Sequence, residues 1–453
     1  MSFEQAVIHH ERGEIKEAIA IYDQLLNGNF FDYRVLFYYA TALLQQGKSG
    51  LAANVFKQII LQDPKQQAAF QNLGNCFKRE NKMKEAEDVF RLGLELGETD
   101  ELWASLGGLY INNGTPHKAL EYYGKGLKLN DKNDLIRFNM GLAYLELGLW
   151  ELGFKSYEIG FKAGNRVERA YHRVDPWDGS DGKTLILFGE QGLGDEIMFA
   201  SCIADAVKKS KRVIFDCHPR LVETFKRSFP DVEVHGTRKN QVVDWVKTTD
   251  ADAYASITTM AMYTRKKDED FPGTPYLKAD TAKVEEYRKR SNGKLRVGIS
   301  WEGGTKQTKK HLRTLPLDIL LPIINQDCDF YSLQYTNNAA VELCNLYEKH
   351  QIHIKHFPEI IDSFDYDKTV NFVASLDLVI SVCTTVVHVA GALGIPCFNL
   401  VQSSPSWNEG IKGDVHPWYK NVKMIRQKKG ESWEVAINEA AIKLKLLIKE
   451  KSC

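Results

Sequence analysis

Three short segments gather the residue types that could do chemistry. The first is Gly189-Glu-Gln-Gly-Leu-Gly-Asp195. A glycine-rich turn that opens a helix exposes backbone N–H groups at a positive helix end, which suits an anionic or sugar ligand near Gly192 and Gly194. Asp195 is a candidate catalytic carboxylate and equally an ordinary N-cap, with Glu190 in the same turn as the fallback base. Gly189, Gly192 and Gly194 are spaced GxxGxG, the reverse of the dinucleotide fingerprint. The second segment is basic: Lys306, Lys309, Lys310, His311 and Arg313 fall within eight residues. Such a run is either a solvated turn or a clamp for a diphosphate, for which the arginine fork is the better tool. In the third, Thr384 and Thr385 begin a helix whose first N–H groups can bind a phosphate, and His388 lies one turn in. Gln334 and Trp301 end apolar runs. Each is a candidate contact for a bound nucleotide, or a plain strand-end and core residue.

These segments must be held by strands. Thr184–Phe188, Arg212–Asp216, Val232–Val234 and Ala253–Ala255 read as strands, with helices over Asp195–Val207 and Leu221–Phe229. A charged stretch from Asp268 to Asn292 with Pro272 and Pro275 reads as a linker. The pattern then restarts with strands Arg296–Trp301, Phe330–Gln334, Asp377–Val382 and Pro396–Val401. Helices are expected at Leu317–Asn325, Val341–His350, from His388 to Leu393, and at Glu434–Lys449. Strands alternating with helices imply parallel sheets covered on both faces, with ligands at their carboxyl ends.

Residues 1–162 have a different pattern. A small residue recurs at Ala18, Ala52, Ala86, Ala119 and Gly153, at steps of 34, 34, 33 and 34. An aromatic follows four later each time (Tyr22, Phe56, Phe90, Tyr123, Tyr157), and a turn-former precedes each by five (Gly13, Gly47, Asn81, Gly114, Gly148). With Leu106-Gly107 and Tyr110 in the fourth copy, this period resembles the tetratricopeptide repeat. Such repeats stack into surfaces that hold partners. The expected fold class is therefore α + α/β. Residues 1–162 form a helical solenoid of about five repeats and 163–183 a joint in which Trp177 packs against a neighbour. Rossmann-like halves at 184–290 and 291–430 and a final helix at 431–453 follow.

Taken together, the loops at 189–195, 299–316 and 377–396 resemble one family: inverting glycosyltransferases of GT-B fold related to ADP-heptose:lipopolysaccharide heptosyltransferases, in the branch carrying N-terminal tetratricopeptide repeats. Repeats ahead of a GT-B transferase are also similar to protein O-GlcNAc transferase. The resemblance implies that Asp195 is the general base. It places a phosphate-binding cation at Arg313, three residues before Pro316, with Lys309 and Lys310 beside it. Thr384, Thr385 and His388 would contact the nucleotide-diphosphate sugar, which is the donor substrate and the only small molecule required. The position before Thr384 is usually Asp in that family; here it is Cys383. Trp407-Asn408 and Pro417-Trp418-Tyr419 resemble its aromatic C-terminal motifs, where packing is the expected role. The implied acceptor is a protein or a polysaccharide or lipopolysaccharide-type molecule, recruited directly or through a protein partner on the repeats. The rival reading is a repeat scaffold with a degenerate nucleotide- or sugar-binding module.

The Asp-x-Asp patterns at 250–252, 327–329 and 365–367 read as capping and turn residues, so transfer is expected to need no metal. Lys+Arg and Asp+Glu both total 59. That zero balance provides no global field for DNA or anionic lipid and makes nucleic acid a minority acceptor. Eight scattered cysteines without metal-ligand spacing suit reduced thiols. Neither a signal peptide nor an apolar run of roughly 18 residues is present, so a cytoplasmic protein is expected. Repeat arrays often mediate dimers, so a homo-oligomer is among the expected partners.

Overall fold

The computed structural model describes residues 2–28, 32–171, 174–240, 243–290, 293–304, 310–361 and 364–452. Two compact units divide the chain, Met1–Ala143 and Tyr144–Cys453.

The repeat pattern folds as helical hairpins. They are α1 (Phe3–Glu11) with α2 (Ile15–Gly28), α3 (Tyr33–Gln45) with α4 (Ser49–Gln62), and α5 (Gln67–Arg79) with α6 (Met83–Glu95). Next come α7 (Asp100–Asn112) with α8 (Pro116–Leu129) and α9 (Asp134–Glu146) with α10 (Trp150–Lys162). Every turn-former picked out by the period has positive φ, from 60° at Asn81 to 85° at Gly47. This is the left-handed backbone that favours glycine and tolerates asparagine. The recurrent alanines are fully buried, as are the rings of Tyr22, Phe56, Phe90 and Tyr123. In the third and fourth hairpins the first helix leaves room for the ring by lacking a side chain: a Cβ at Gly74 would overlap Phe90, and one at Gly107 would overlap Tyr123.

The boundary between units falls inside α9 rather than at residue 162. The reason is what α10 packs on. Its Trp150 lies 4.6 Å from Phe271, and Phe154 stands edge-on to Phe199 and Trp407, both at 6.3 Å. The last hairpin's second helix thus belongs to the core of the α/β unit.

That unit contains two sheets. The first has the order β1-β5-β2-β3-β4, all parallel: β1 (Asp175–Pro176), β2 (Thr184–Phe188), β3 (Arg212–Asp216), β4 (Glu233–His235) and β5 (Ala253–Ser256). Ile186 sits between Ile214 and Tyr254 in register. Helices α11 (Leu193–Phe199), α12 (Ile203–Lys209), α13 (Val222–Ser228) and α14 (Ile257–Thr264) follow its strands, and α15 (Thr281–Arg288) leads to the second sheet. That sheet has the order β10-β11-β9-β8-β6-β7, parallel except for its β10–β11 edge. Its strands are β6 (Arg296–Ser300), β7 (Asp329–Ser332), β8 (Leu378–Val382), β9 (Cys397–Val401), β10 (Val415–His416) and β11 (Tyr419–Arg426). Helices α16 (Leu321–Ile324), α17 (Ala339–His350), α18 (Pro358–Ile361), α19 (Tyr366–Ala374), α20 (Thr385–Leu393) and α21 (Trp433–Ser452) complete it. Strands β6, β8 and β9 are buried along their whole length, as sheets covered on both faces require.

Several elements depart from the sequence reading. The expected linker 268–292 contains α15, capped by the Asp280 carboxylate on the Ala282 and Lys283 amides. Its charge density is a run of helical pairs, Lys283–Glu286 and Glu286–Arg290. The expected helix at 317–325 is a 3₁₀ turn, Leu317–Leu320, followed by α16, because Pro322 restricts the residue before it and lacks an N–H. The joint contributes β1, and Trp177 packs 4.8 Å from Tyr263 as expected of a joint. Helices α14 and α19 and strand β11 carry no periodic signal that the sequence made plain.

Candidate active site: three loops at the sheet ends

The carboxyl ends of β2, β6 and β8 send out the three loops singled out above. After β2, Gly192 N-caps α11 without a side chain, so Asp195 falls in the first helical turn rather than at the cap. After β8, Thr384 caps α20 in extended geometry, and its hydroxyl pairs with Ser381 Oγ at 3.0 Å instead of the helix amides. The first amides of α20 therefore lack a side-chain cap from that hydroxyl.

The two helix starts meet. A Cβ on Gly194 would lie 3.1 Å from His388 Cδ2 and 3.3 Å from Thr385 Oγ1, the near limit of contact. Glycine at 194 is what lets these helices approach. The loop after β6 joins them: a Cβ at Gly303 would overlap the Thr384 methyl group, and Arg313 Nη1 donates to the Cys383 carbonyl at 3.2 Å. Gly192, Gly194, Asp195, Arg313, Thr384, Thr385 and His388 thus share one locus.

Electrostatics separates the two carboxylates of the first loop. Burial pushes the Asp195 carboxyl up to about 6; neighbouring Glu190 adds to the rise, while the Gly192 backbone and Arg313 oppose it. Glu190 is fully occupied. It takes Arg166 Nε at 2.9 Å and Thr258 Oγ1 at 2.6 Å, and pairs also with Arg166 Nη2 and the Ser256 hydroxyl. The side chain of the fallback base is buried and tied into structural bonds. Burial pushes His388 down to about 4, so its imidazole is neutral at physiological pH.

Other candidates stand elsewhere. Trp301 is buried in the core of the second sheet, and its Nε1 donates to Glu342 Oε2 at 2.6 Å. Gln334 is a brace: its Oε1 accepts from Ser300 Oγ, Trp301 N and Glu302 N, and its Nε2 donates to the Glu302 carbonyl. Lys310 pairs with Glu302. Lys309, with Lys306, lies outside the described residues. Cys383 is buried, with its thiol 3.4 Å from Gln402 Oε1, and burial raises it well above the ordinary thiol range. Beside it sits the buried Glu409, whose carboxyl accepts from Ser406 N at 2.9 Å.

The Asp-x-Asp residues are engaged individually. Asp365 caps α19 and Asp252 accepts from the Thr184 amide, while Asp250, Asp327, Asp329 and Asp367 pair with Arg212, Lys294, Lys355 and Arg227. Sequence reasoning missed Tyr276, Glu409 and the hydrogen-bonding roles of Asn408 and Tyr419. They reach the locus from three distant segments, and no local spacing marks them.

Known proteins match this chain mainly through its hairpins. Models of the tetratricopeptide repeat match residues 40–101 and 100–133. The chain is 26% identical over 454 aligned positions to Protein FlbA of Caulobacter vibrioides, covering 87% of this chain and 75% of that protein. It is 27% identical to BBSome complex member BBS4 of Bos taurus over 153 positions, which span 33% of this chain and 29% of that protein. The crystal structure of a thermophilic TPR protein from Thermus thermophilus aligns with a TM-score of 0.33 at 18% identity, over 36% of this chain and 89% of that one. Among the described residues no helix is long and apolar enough to cross a membrane. The hairpins of the N-terminal region are tetratricopeptide repeats, and an α/β region with two sheets follows them.

Proposed function

We propose that the α/β unit is an inverting glycosyltransferase of GT-B type. It takes a sugar from a nucleotide-diphosphate donor, without a metal, and the repeats recruit the acceptor or a protein partner that delivers it. The observation that carries this reading is the meeting of Asp195 with the start of α20 and Arg313. It brings a carboxyl near 6, helix amides without a side-chain cap and a cation to one place.

The chemistry follows from those groups. An acceptor hydroxyl attacks the anomeric carbon while Asp195 takes its proton. The bond from that carbon to the diphosphate oxygen breaks, and the nucleoside diphosphate leaves with the electron pair. Arg313 and the first amides of α20 stabilise the charge that builds there. One displacement inverts the anomeric centre.

A second reading has its own observation. Cys383, at the position where the resembling transferases usually place Asp, is a buried neutral thiol turned to Gln402, which suits a module that binds without turnover. Thermal shifts with UDP, ADP, GDP, CMP and their common sugars, with and without Mg²⁺, test the donor site. A selective shift independent of Mg²⁺ supports it, because a ligand that binds only the native state raises the melting temperature. No shift with any of them removes the donor site, and with it the transferase reading.

A further inference from the structure

A chain of side-chain hydrogen bonds runs from α20 to α11 through the segment that joins the two sheets. Asn408 Nδ2 lies 3.5 Å from His388 Nε2, and His388 Nδ1 lies 3.3 Å from the Tyr419 hydroxyl. Tyr419 is 3.3 Å from the Tyr276 hydroxyl, which is 2.6 Å from the Ile197 carbonyl in α11. All of these side chains are buried or nearly so. Of the titratable groups that face them, His416 lies 5.9 Å from the His388 ring and burial keeps it neutral. Asp195, Arg265 and Cys202 act on the tyrosines through space and supply none of the bonds in the chain. The main chain of Tyr276 is pinned as well, its amide donating to the Ala392 carbonyl at 2.9 Å.

The proton positions follow from the closed end. A carbonyl only accepts, so Tyr276 donates to Ile197. Its oxygen must then accept from Tyr419, whose own oxygen must accept from His388 Nδ1–H. His388 Nε2 is left with a lone pair, which the Asn408 amide N–H faces. Both ends of the chain agree on one arrangement. The reverse arrangement needs a flipped Asn408 amide and leaves the two tyrosine oxygens facing each other without a proton.

We infer that Tyr276 and Tyr419 are positioning residues that hold His388 as its neutral Nδ1–H tautomer and tie it to the helix that carries Asp195. The imidazole then carries no charge, its one N–H given to Tyr419 and its one lone pair facing Asn408. Resting on the transferase reading for its consequence, this leaves His388 as an uncharged brace between α20 and α11 and assigns the donor's diphosphate to Arg313 and the α20 amides instead. Which nitrogen carries the proton is set by the bond the other makes.

The test uses the full chain and no substrate, so its outcome is independent of whether transfer is found. In protein labelled with ¹⁵N-histidine, long-range ¹H–¹⁵N spectra between pH 5.5 and 8 report each ring nitrogen, with His388 assigned by its loss in His388→Gln. The expected result is a pyrrole-like Nδ1 and a pyridine-like Nε2 that do not move with pH. A pyrrole-like Nε2, or titration within that range, overturns the inference. Tyr276→Phe, which removes one hydroxyl and keeps the ring, frees Tyr419 to donate to Nδ1. It is expected to shift His388 toward the other tautomer. An unchanged spectrum in that variant overturns the role of Tyr276, and the parent spectrum decides the tautomer even if the variant does not fold.

Discussion

Asp195 and Glu190 are five residues apart and have opposite fates. Glu190 is locked by Arg166 and two hydroxyls, whereas Asp195 sits where burial holds its proton up to about pH 6. A base must be deprotonated to work, so turnover is expected to rise as pH increases through about 6, and Asp195→Asn should lower the rate by roughly 10²–10⁴-fold while sparing nucleotide binding. A pH–rate profile with no limb near 6, or an active Asn variant, removes Asp195 from the mechanism. The same shift has a stability consequence of opposite sign. The native carboxyl holds a proton that the unfolded chain, titrating near its ordinary 3.8, has already lost. Stability contributed by this group therefore falls as pH rises from about 4 to about 6. Asp195→Asn should melt above the parent at pH 7.5 and no higher at pH 4, as expected of a site that gives up stability for function.

At the scale of elements, the array and the joint give the sharpest contrasts. Gly107 and Gly108 are adjacent in α7, yet only the first faces a ring. A Cβ at Gly107 overlaps Tyr123, whereas at Gly108 the nearest atoms are 3.8 and 3.9 Å away. Gly107→Ala should destabilise by about 1–3 kcal/mol through overpacking. Gly108→Ala should be neutral or stabilise by up to about 1 kcal/mol through helix propensity. Urea unfolding of the pair checks this, and equal effects would contradict the packing argument. Arg166, at the head of the joint, is wholly buried between Glu190, Glu158 and the Tyr157 carbonyl. Arg166→Met leaves the Glu190 carboxylate buried without its cation and should cost about 3–5 kcal/mol by the same measurement. How far the sequence could be read differs by element for a physical reason. The hairpins repeat a small residue, a ring and a turn-former at a fixed period, so every left-handed turn was visible in advance. The loops at 189–195 and 383–388 were visible because their glycines, threonines and histidine are neighbours in the chain. Trp301 and Gln334 were not separable from site residues, since strand-end residues face either the ligand or the core and only packing decides. Tyr276, Asn408 and Tyr419 come together from separate segments, which no local pattern records, and α15 was hidden because its helical pairs look like a charged linker.

For the molecule as a whole, the division into Met1–Ala143 and Tyr144–Cys453 turns the proposed division of labour into something measurable. In the proposed function, nucleotide recognition falls to residues after 143 and the repeats bear on the acceptor. A nucleoside diphosphate sugar at 100 times its Kd should stabilise its site by about 2.7 kcal/mol. The protection should be local to the loops that hold it. Hydrogen exchange of the full chain is therefore expected to slow at 189–199, 310–316 and 383–393, where the amides of α11 and α20 and the Arg313 turn lie, and to stay unchanged across α1–α8. A protein acceptor or partner should give the complementary map, slowing exchange in the repeats without the nucleotide present. Protection by the nucleotide confined to the repeats would place its site in the wrong unit. Protection of the loops by a nucleotide, with no turnover on any acceptor, would favour the binding module and give Cys383 its meaning. Slowed exchange at the loops together with loss of turnover in Asp195→Asn is the combination that only the transferase reading produces.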